Sequence, residues 1–104
     1  MMEDEIKRYV GVPIEAVVMD SRMVIRGTLD AVDRGQARFS SIEDIFVLVH
    51  GRRLSMKLML SGSFIDLEAL LRNLSFPCSV FDSCRRIGVE TGEAIRKEGT
   101  YSLG

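Results

Sequence analysis

The pattern of apolar and polar residues predicts one short helix followed by five short strands in the first sixty residues. A helix from Glu3 to Val10 places its apolar side chains on one face and its acidic residues in the first turn. Gly11 ends this helix, and Pro13 is tolerated only at the start or edge of a strand. The strands are predicted at Ile14–Met19, Met23–Asp33, Ala37–Ile42, Ile45–Val49 and Leu54–Leu60.

The second of these strands is predicted to bend. Its apolar positions alternate from Ile25 to Leu29 and then slip by one residue before Val32. Gly27 lies inside it, and a glycine within a strand marks a bend or a close approach of another backbone. The strand is therefore expected to curl around a small barrel.

A second amphipathic helix is predicted from Ser63 to Asn73. Ser63 and Asp66 have the spacing of a capping box, and large apolar residues recur at helical spacing after them. Beyond Pro77 the pattern is weaker. The segments 86–90 and 94–103 fit a hairpin, although 93–98 fits a helical turn equally well.

Composition indicates one compact domain that does not coat nucleic acid over its whole surface. The chain has 104 residues, of which 46% are apolar and 28% charged, with a net charge of −1. No apolar run is long enough to span a bilayer, and the acidic start is unlike a signal peptide. We expect a cytoplasmic protein without a membrane partner.

The residues that carry enzyme chemistry are sparse. His50 is the single histidine, and Cys78 and Cys84 lack the further ligands of a zinc site. The sequence contains no phosphate-binding glycine loop and no hydrolase or metalloprotease motif. We therefore expect a binding module, with no catalytic residue, metal or cofactor, rather than an enzyme.

Two short motifs resemble those of the Sm and Sm-like (LSm) RNA-binding proteins. IRGTLDAVD, from Ile25 to Asp33, is similar to the first half-motif, and VLVHGRRL, from Val47 to Leu54, is similar to the second. The resemblance implies a mainly β fold: an N-terminal helix and a five-stranded, strongly bent antiparallel SH3-like small barrel over residues 1–60. Residues 61–104 would form a C-terminal α/β extension, packed on the barrel or on a neighbouring subunit.

The resemblance also implies a hexameric or heptameric ring that binds single-stranded RNA at its pore. The strand at Asp44–Val49 would pair with the strand at Leu54–Leu60 of a neighbour. Two loops per subunit would form the site, and base specificity would be weak because Gly35, Ala37 and His50 occupy the positions that read uridine in the family. The implied RNA-binding residues are Asp33, Arg34, Gln36, Arg38, His50, Gly51, Arg52 and Arg53.

Two alternatives remain open from the sequence. The first is an Sm-fold assembly scaffold that has lost RNA binding and docks a protein partner through residues 61–104. The second is a small barrel of another family, such as a cyclic-dinucleotide-binding PilZ domain. That family requires an RxxxR pair ahead of the barrel and a [DN]xSxxG strand, and this chain has neither.

Overall fold

The computed structural model describes residues 1–66, 69, 71 and 74–87. This part of the chain is mainly β, with a short N-terminal helix and six antiparallel strands in one sheet. The elements are α1 (Glu3–Lys7), β1 (Pro13–Val18), β2 (Met23–Asp33), β3 (Gln36–Val49), β4 (Arg52–Ser55), α2 (Met56–Met59), β5 (Ser75–Pro77), a 3₁₀ turn (Cys78–Val80) and β6 (Phe81–Arg86).

The sheet returns on itself to form a small barrel. Its strand order is β4-β3-β2-β1-β6, and β5 pairs with the start of β3 at Gln36–Arg38. Because β5 and β6 are joined by one 3₁₀ turn, they act as a single broken strand that links β3 to β1. In the described residues β4 and β6 remain the terminal strands, each paired on one side only.

The core fills the inside of this barrel with side chains from β1, β2, β3, β5 and β6. Phe39 of β3, Phe76 of β5 and Phe81 of β6 meet there, with ring centroids 6.0 to 6.5 Å apart. Aromatic pairs at such distances contribute about 0.5–1.5 kcal/mol beyond the area they bury. Ile6 of α1 is fully buried in the same cluster, so the helix covers one opening of the barrel.

The predicted bend in the second strand is confirmed, and Gly27 explains it. A Cβ atom at Gly27 would lie 2.4 Å from the backbone oxygen of Ser41, so only glycine allows β2 and β3 to cross this closely. The register of the two strands shifts between Arg26 and Gly27 and again on either side of Leu29. These irregularities increase the local twist and curl the sheet.

Two tight turns join consecutive strands of the sheet. Arg34 and Gly35 connect β2 to β3, and His50 and Gly51 connect β3 to β4, with positive φ at all four residues. Two-residue turns of this kind match the right-handed twist of paired strands. The turn between β1 and β2 also has positive φ at Met19, Asp20 and Ser21.

The prediction of separate third and fourth strands is wrong. Residues 36 to 49 form the single strand β3, which passes without reversal through the two acidic residues expected to break it. Asp44 is buried, and its carboxylate accepts hydrogen bonds from the backbone N–H of Ile45 and of Lys57. A polar residue satisfied in this way does not end a strand.

The predicted fifth strand, Leu54–Leu60, is also wrong over most of its length. β4 ends at Ser55, whose hydroxyl caps α2 by accepting a hydrogen bond from the N–H of Leu58 at 3.0 Å. Of the alternating apolar residues that suggested a strand, Leu58 is 73% exposed, whereas Met56 packs against the core. Strand Asp44–Val49, the other half of the predicted ring contact, already pairs with β2 and with β4.

The C-terminal part contributes to the barrel. The division at residue 60 assigns β5 and β6 to an extension, whereas both strands belong to the sheet. The predicted helix Ser63–Asn73 lies partly outside the described residues: its first turn, 63–66, is not helical, while Leu71 is helical and packs against the core. The hairpin or helical turn expected within residues 86–103 lies almost wholly outside the described residues.

Candidate anion-binding site

One buried carboxylate lies on the outer face of the barrel wall. Glu15 occupies the middle of β1, where its neighbours Ile14 and Ala16 point into the core. Side chains alternate across a strand, so Glu15 faces outward. It is nevertheless only 3% exposed, because long side chains from neighbouring strands cover it.

Three arginines converge on this carboxylate from three different strands. Arg85 of β6 donates to Oε1 of Glu15 at 2.9 Å, and Arg26 of β2 donates to Oε2 at 3.1 Å. Arg53 of β4 donates to both oxygens, at 3.3 and 3.4 Å. Residues 15, 26 and 85 are in register across the sheet, which brings their side chains together. We call this group, with Phe46, the arginine face.

Phe46 supports two of these guanidinium groups. The Cζ atoms of Arg26 and Arg53 lie 5.7 and 5.6 Å from the centroid of its ring, within the range of cation–π attraction. The Nε atom of Arg26 is buried and has no hydrogen-bond partner in the described part of the chain. Phe46 therefore supports the arginine face, while the Nε–H of Arg26 lacks a hydrogen-bond acceptor in the described residues.

The charges of the arginine face do not balance. Burial alone would raise the pKa of Glu15, but hydrogen bonds from Arg85, Arg53 and Arg26 outweigh burial and lower the pKa to about 2. Glu15 is therefore ionised at neutral pH, and the three guanidinium groups outnumber the two neighbouring carboxylates, Glu15 and Asp44, of which Asp44 lies opposite Arg26 in the pairing of β2 with β3. Each guanidinium has more N–H donors than its bonds to Glu15 use, so donors remain for an oxyanion.

A cleft of ≈ 670 Å³ lies beside the arginine face. It is lined by Pro13 and Thr28 and by the segment that contains Lys57 and Ser61. Ser41 and Glu43 line the side formed by β3. The lining therefore combines hydroxyl, charged and apolar groups.

The sequence-predicted site residues are divided between the two ends of β3. Asp33, Arg34, Gln36 and Arg38 lie at its start, whereas His50, Gly51, Arg52 and Arg53 lie beyond its end. The resemblance placed these two loops together, whereas here the 14-residue strand β3 separates them along the chain.

Each arginine at the start of β3 lies beside a carboxylate. Arg38 forms an ion pair with Asp30, and Arg34 lies 3.8 Å from the carboxylate of Asp33. Glu3 accepts a hydrogen bond from the N–H of Gly35 at 2.7 Å, which, with the hydrogen bond from Lys7, lowers the pKa of Glu3. The side-chain oxygen of Gln36 accepts a hydrogen bond from the hydroxyl of Ser75. This turn has little excess positive charge to offer a polyanion.

Of the predicted site residues, only Arg53 belongs to the arginine face, and the sequence reasoning missed Glu15, Arg26, Phe46 and Arg85. One signal was available: Glu15 and Arg26 are charged residues inside otherwise apolar strands. Such residues are buried only when they are paired. Their mutual register, however, depends on how the strands pair.

The thiols and the acidic residues suggest little further chemistry. Cys78 and Cys84 are free, and burial raises the pKa of both, to about 11 for Cys84, so they stay protonated at neutral pH. In residues 1–66, 69, 71 and 74–87, no cluster of histidine, cysteine and acidic residues is placed to hold a metal ion. None of the helices described is long and apolar enough to cross a membrane.

Comparison with known proteins gave no matching family model and no significant match among curated proteins or solved structures.

Proposed function

We propose that this protein is a single-stranded RNA-binding module whose contact surface is the arginine face. The observation that carries the proposal is the convergence of three guanidinium groups on the buried Glu15 carboxylate, where they outnumber the carboxylates of Glu15 and Asp44. Arg85 and Arg53 are 61% and 47% exposed, so a ligand can reach them.

The chemistry of the arginine face fits a phosphodiester chain. Guanidinium groups bind phosphate oxygens through paired N–H donors and stack on bases. Glu15 holds the three groups side by side, so little side-chain entropy is lost when a ligand binds. The overall charge of −1 does not oppose this, because the excess positive charge is local.

The first test compares Arg85→Ala with Arg34→Ala. Arg85 lies in the proposed contact surface, while Arg34 lies on an exposed turn beside Asp33 and serves as the matched control. Affinity for uridine-rich and adenine-rich oligonucleotides is measured by fluorescence anisotropy over a range of salt concentrations. Arg85→Ala should weaken binding of both oligonucleotides and flatten the slope of log affinity against log salt by about 0.7, the value for one phosphate contact on a single strand.

Arg85→Lys separates charge from fold in this test. It keeps the positive charge, so it should retain most of the salt slope while losing the paired hydrogen bonds. Urea midpoints of all three variants verify that they are folded. Equal effects of Arg85→Ala and Arg34→Ala, or no binding by the wild-type protein at low salt, would refute the proposal.

The Sm-like assignment and self-association form a second part of the proposal. The N-terminal helix and the strand bent at Gly27 support a small barrel of this kind. In the described sheet the terminal strands are β4 and β6, so a ring would pair β4 of one subunit with β6 of the next rather than use Asp44–Val49. Native mass measurement tests this, and a monomer at micromolar concentration would contradict it.

A protein-interaction scaffold is the second candidate function. It is favoured by the exposure of large apolar side chains in and after α2, where Phe64 is fully exposed and Leu58 and Met59 are mostly exposed. Phe64→Ser, combined with Leu58→Ser, should abolish partner binding under this alternative while leaving the RNA affinity of the arginine face unchanged.

A further inference from the structure

The cleft and the arginine face lie on the same outer surface of the sheet. In the pairing of β1 with β2, Glu15 is opposite Arg26, and two residues away Pro13 is opposite Thr28. Side chains two residues apart on a strand face the same way and are separated by about 7 Å. Pro13 and Thr28 both line the cleft, so the cleft begins where the arginine face ends.

The neighbouring strand extends in the same way. Ile87 lies two residues beyond Arg85, donates its backbone N–H to the oxygen of Pro13 at 3.1 Å, and lines the cleft. β1, β2 and the end of β6 therefore extend side by side from the arginine face to the cleft. A ligand lying along them would contact cationic groups first and the mixed lining of the cleft next.

We propose that the arginine face and the cleft form one nucleotide-binding groove, in which the arginines hold a phosphate and the cleft receives the attached base. This inference rests on the proposed RNA-binding function and adds to it a binding site for the base. Pro13, Ile65 and Ile87 offer apolar surface to the flat face of a base. Thr28, Ser41 and Lys57 offer polar groups to its edge.

No aromatic side chain of the described residues lines the cleft. Phe46 already lies beneath the guanidinium groups of Arg26 and Arg53. The base would instead be enclosed between the wall of the sheet and the segment that follows α2. Residues 60–63 of this segment line the cleft.

The test uses oligonucleotides of equal length and charge, with and without bases. The wild-type protein should bind a base-bearing single strand about tenfold or more tighter than an abasic strand, the equivalent of about 1.4 kcal/mol or more for the seated base. Both ligands should show the same salt slope, because both present the same phosphates to the arginine face.

Ser41→Trp fills the cleft from an exposed strand position that tolerates an aromatic residue. It should remove the advantage of the base-bearing strand and leave the abasic affinity unchanged. Ser40→Trp, at the adjacent exposed position outside the lining, is the matched control and should bind both ligands as the wild type does.

The outcomes separate the two proposals. If neither strand binds at low salt, the RNA-binding function itself fails. If both strands bind equally tightly and Ser41→Trp changes nothing, the arginine face binds phosphate alone and the groove is refuted. Loss of binding to both strands in Ser41→Trp, in a variant with a wild-type urea midpoint, would also refute the separate seat for the base.

Discussion

Replacing Glu15 by glutamine tests how strongly the arginine face stabilises the fold. The pKa of Glu15 falls from 4.5 to about 2 in the folded chain. One pKa unit corresponds to about 1.36 kcal/mol, so ionised Glu15 contributes on the order of 3 kcal/mol to the free energy of unfolding at neutral pH. Glu15→Gln should lose about this amount, because three arginines then lack their counter-charge.

The stabilisation by ionised Glu15 should decrease as the pH is lowered. A carboxyl group whose pKa is lowered by folding stabilises the protein above its unfolded pKa of 4.5, and this stabilisation is lost as the pH falls toward 2. Urea unfolding of wild type and Glu15→Gln should therefore differ by about 3 kcal/mol at pH 7 and by less than half of this at pH 3.

Asp30→Asn is the control for the Glu15 experiment. Asp30 pairs with Arg38 at a half-exposed site, where an ion pair is worth about 1 kcal/mol or less. A loss below about 1 kcal/mol in Glu15→Gln, or a loss that stays the same from pH 7 to pH 3, would refute the account of Glu15 as the ionised centre of the cluster.

Three further predictions concern the framework. Gly27→Ala should destabilise the chain by more than about 2 kcal/mol in urea unfolding, because its Cβ would meet the Ser41 oxygen at 2.4 Å. Asp44→Ala should cost about 2–4 kcal/mol and raise hydrogen exchange at Lys57, whose N–H loses its acceptor. Phe39→Ala should cost about 3–5 kcal/mol, whereas a cost below about 1 kcal/mol would contradict its place in the core.

The elements that the sequence predicted well have local signals. β2 was predicted with the bounds observed, since its alternation, its internal glycine and the turn at Arg34 and Gly35 are all contained in one short stretch. β1 was located to within a residue for the same reason: Pro13 and the apolar run that follows mark it.

The elements that were missed depend on distant residues. The strand break expected at Asp44 disappears because its carboxylate is satisfied by Lys57 and Ser55, 13 and 11 residues away. β6 has few apolar residues, and it is a strand because β1 leaves an edge that it can pair with. The arginine face combines four strands and Phe46, so no local pattern could identify it.

The pairing of β1 with β6 affects how the chain can fold during synthesis. β1 and β2 can form a hairpin as soon as both have left the ribosome, but the other edge of β1 stays open until Arg86 follows, about fifty residues later. At about 5–20 residues per second, this takes several seconds. During this interval Val17 and its neighbours present an unpaired edge, so a nascent chain stalled before β6 should be a substrate for chaperones.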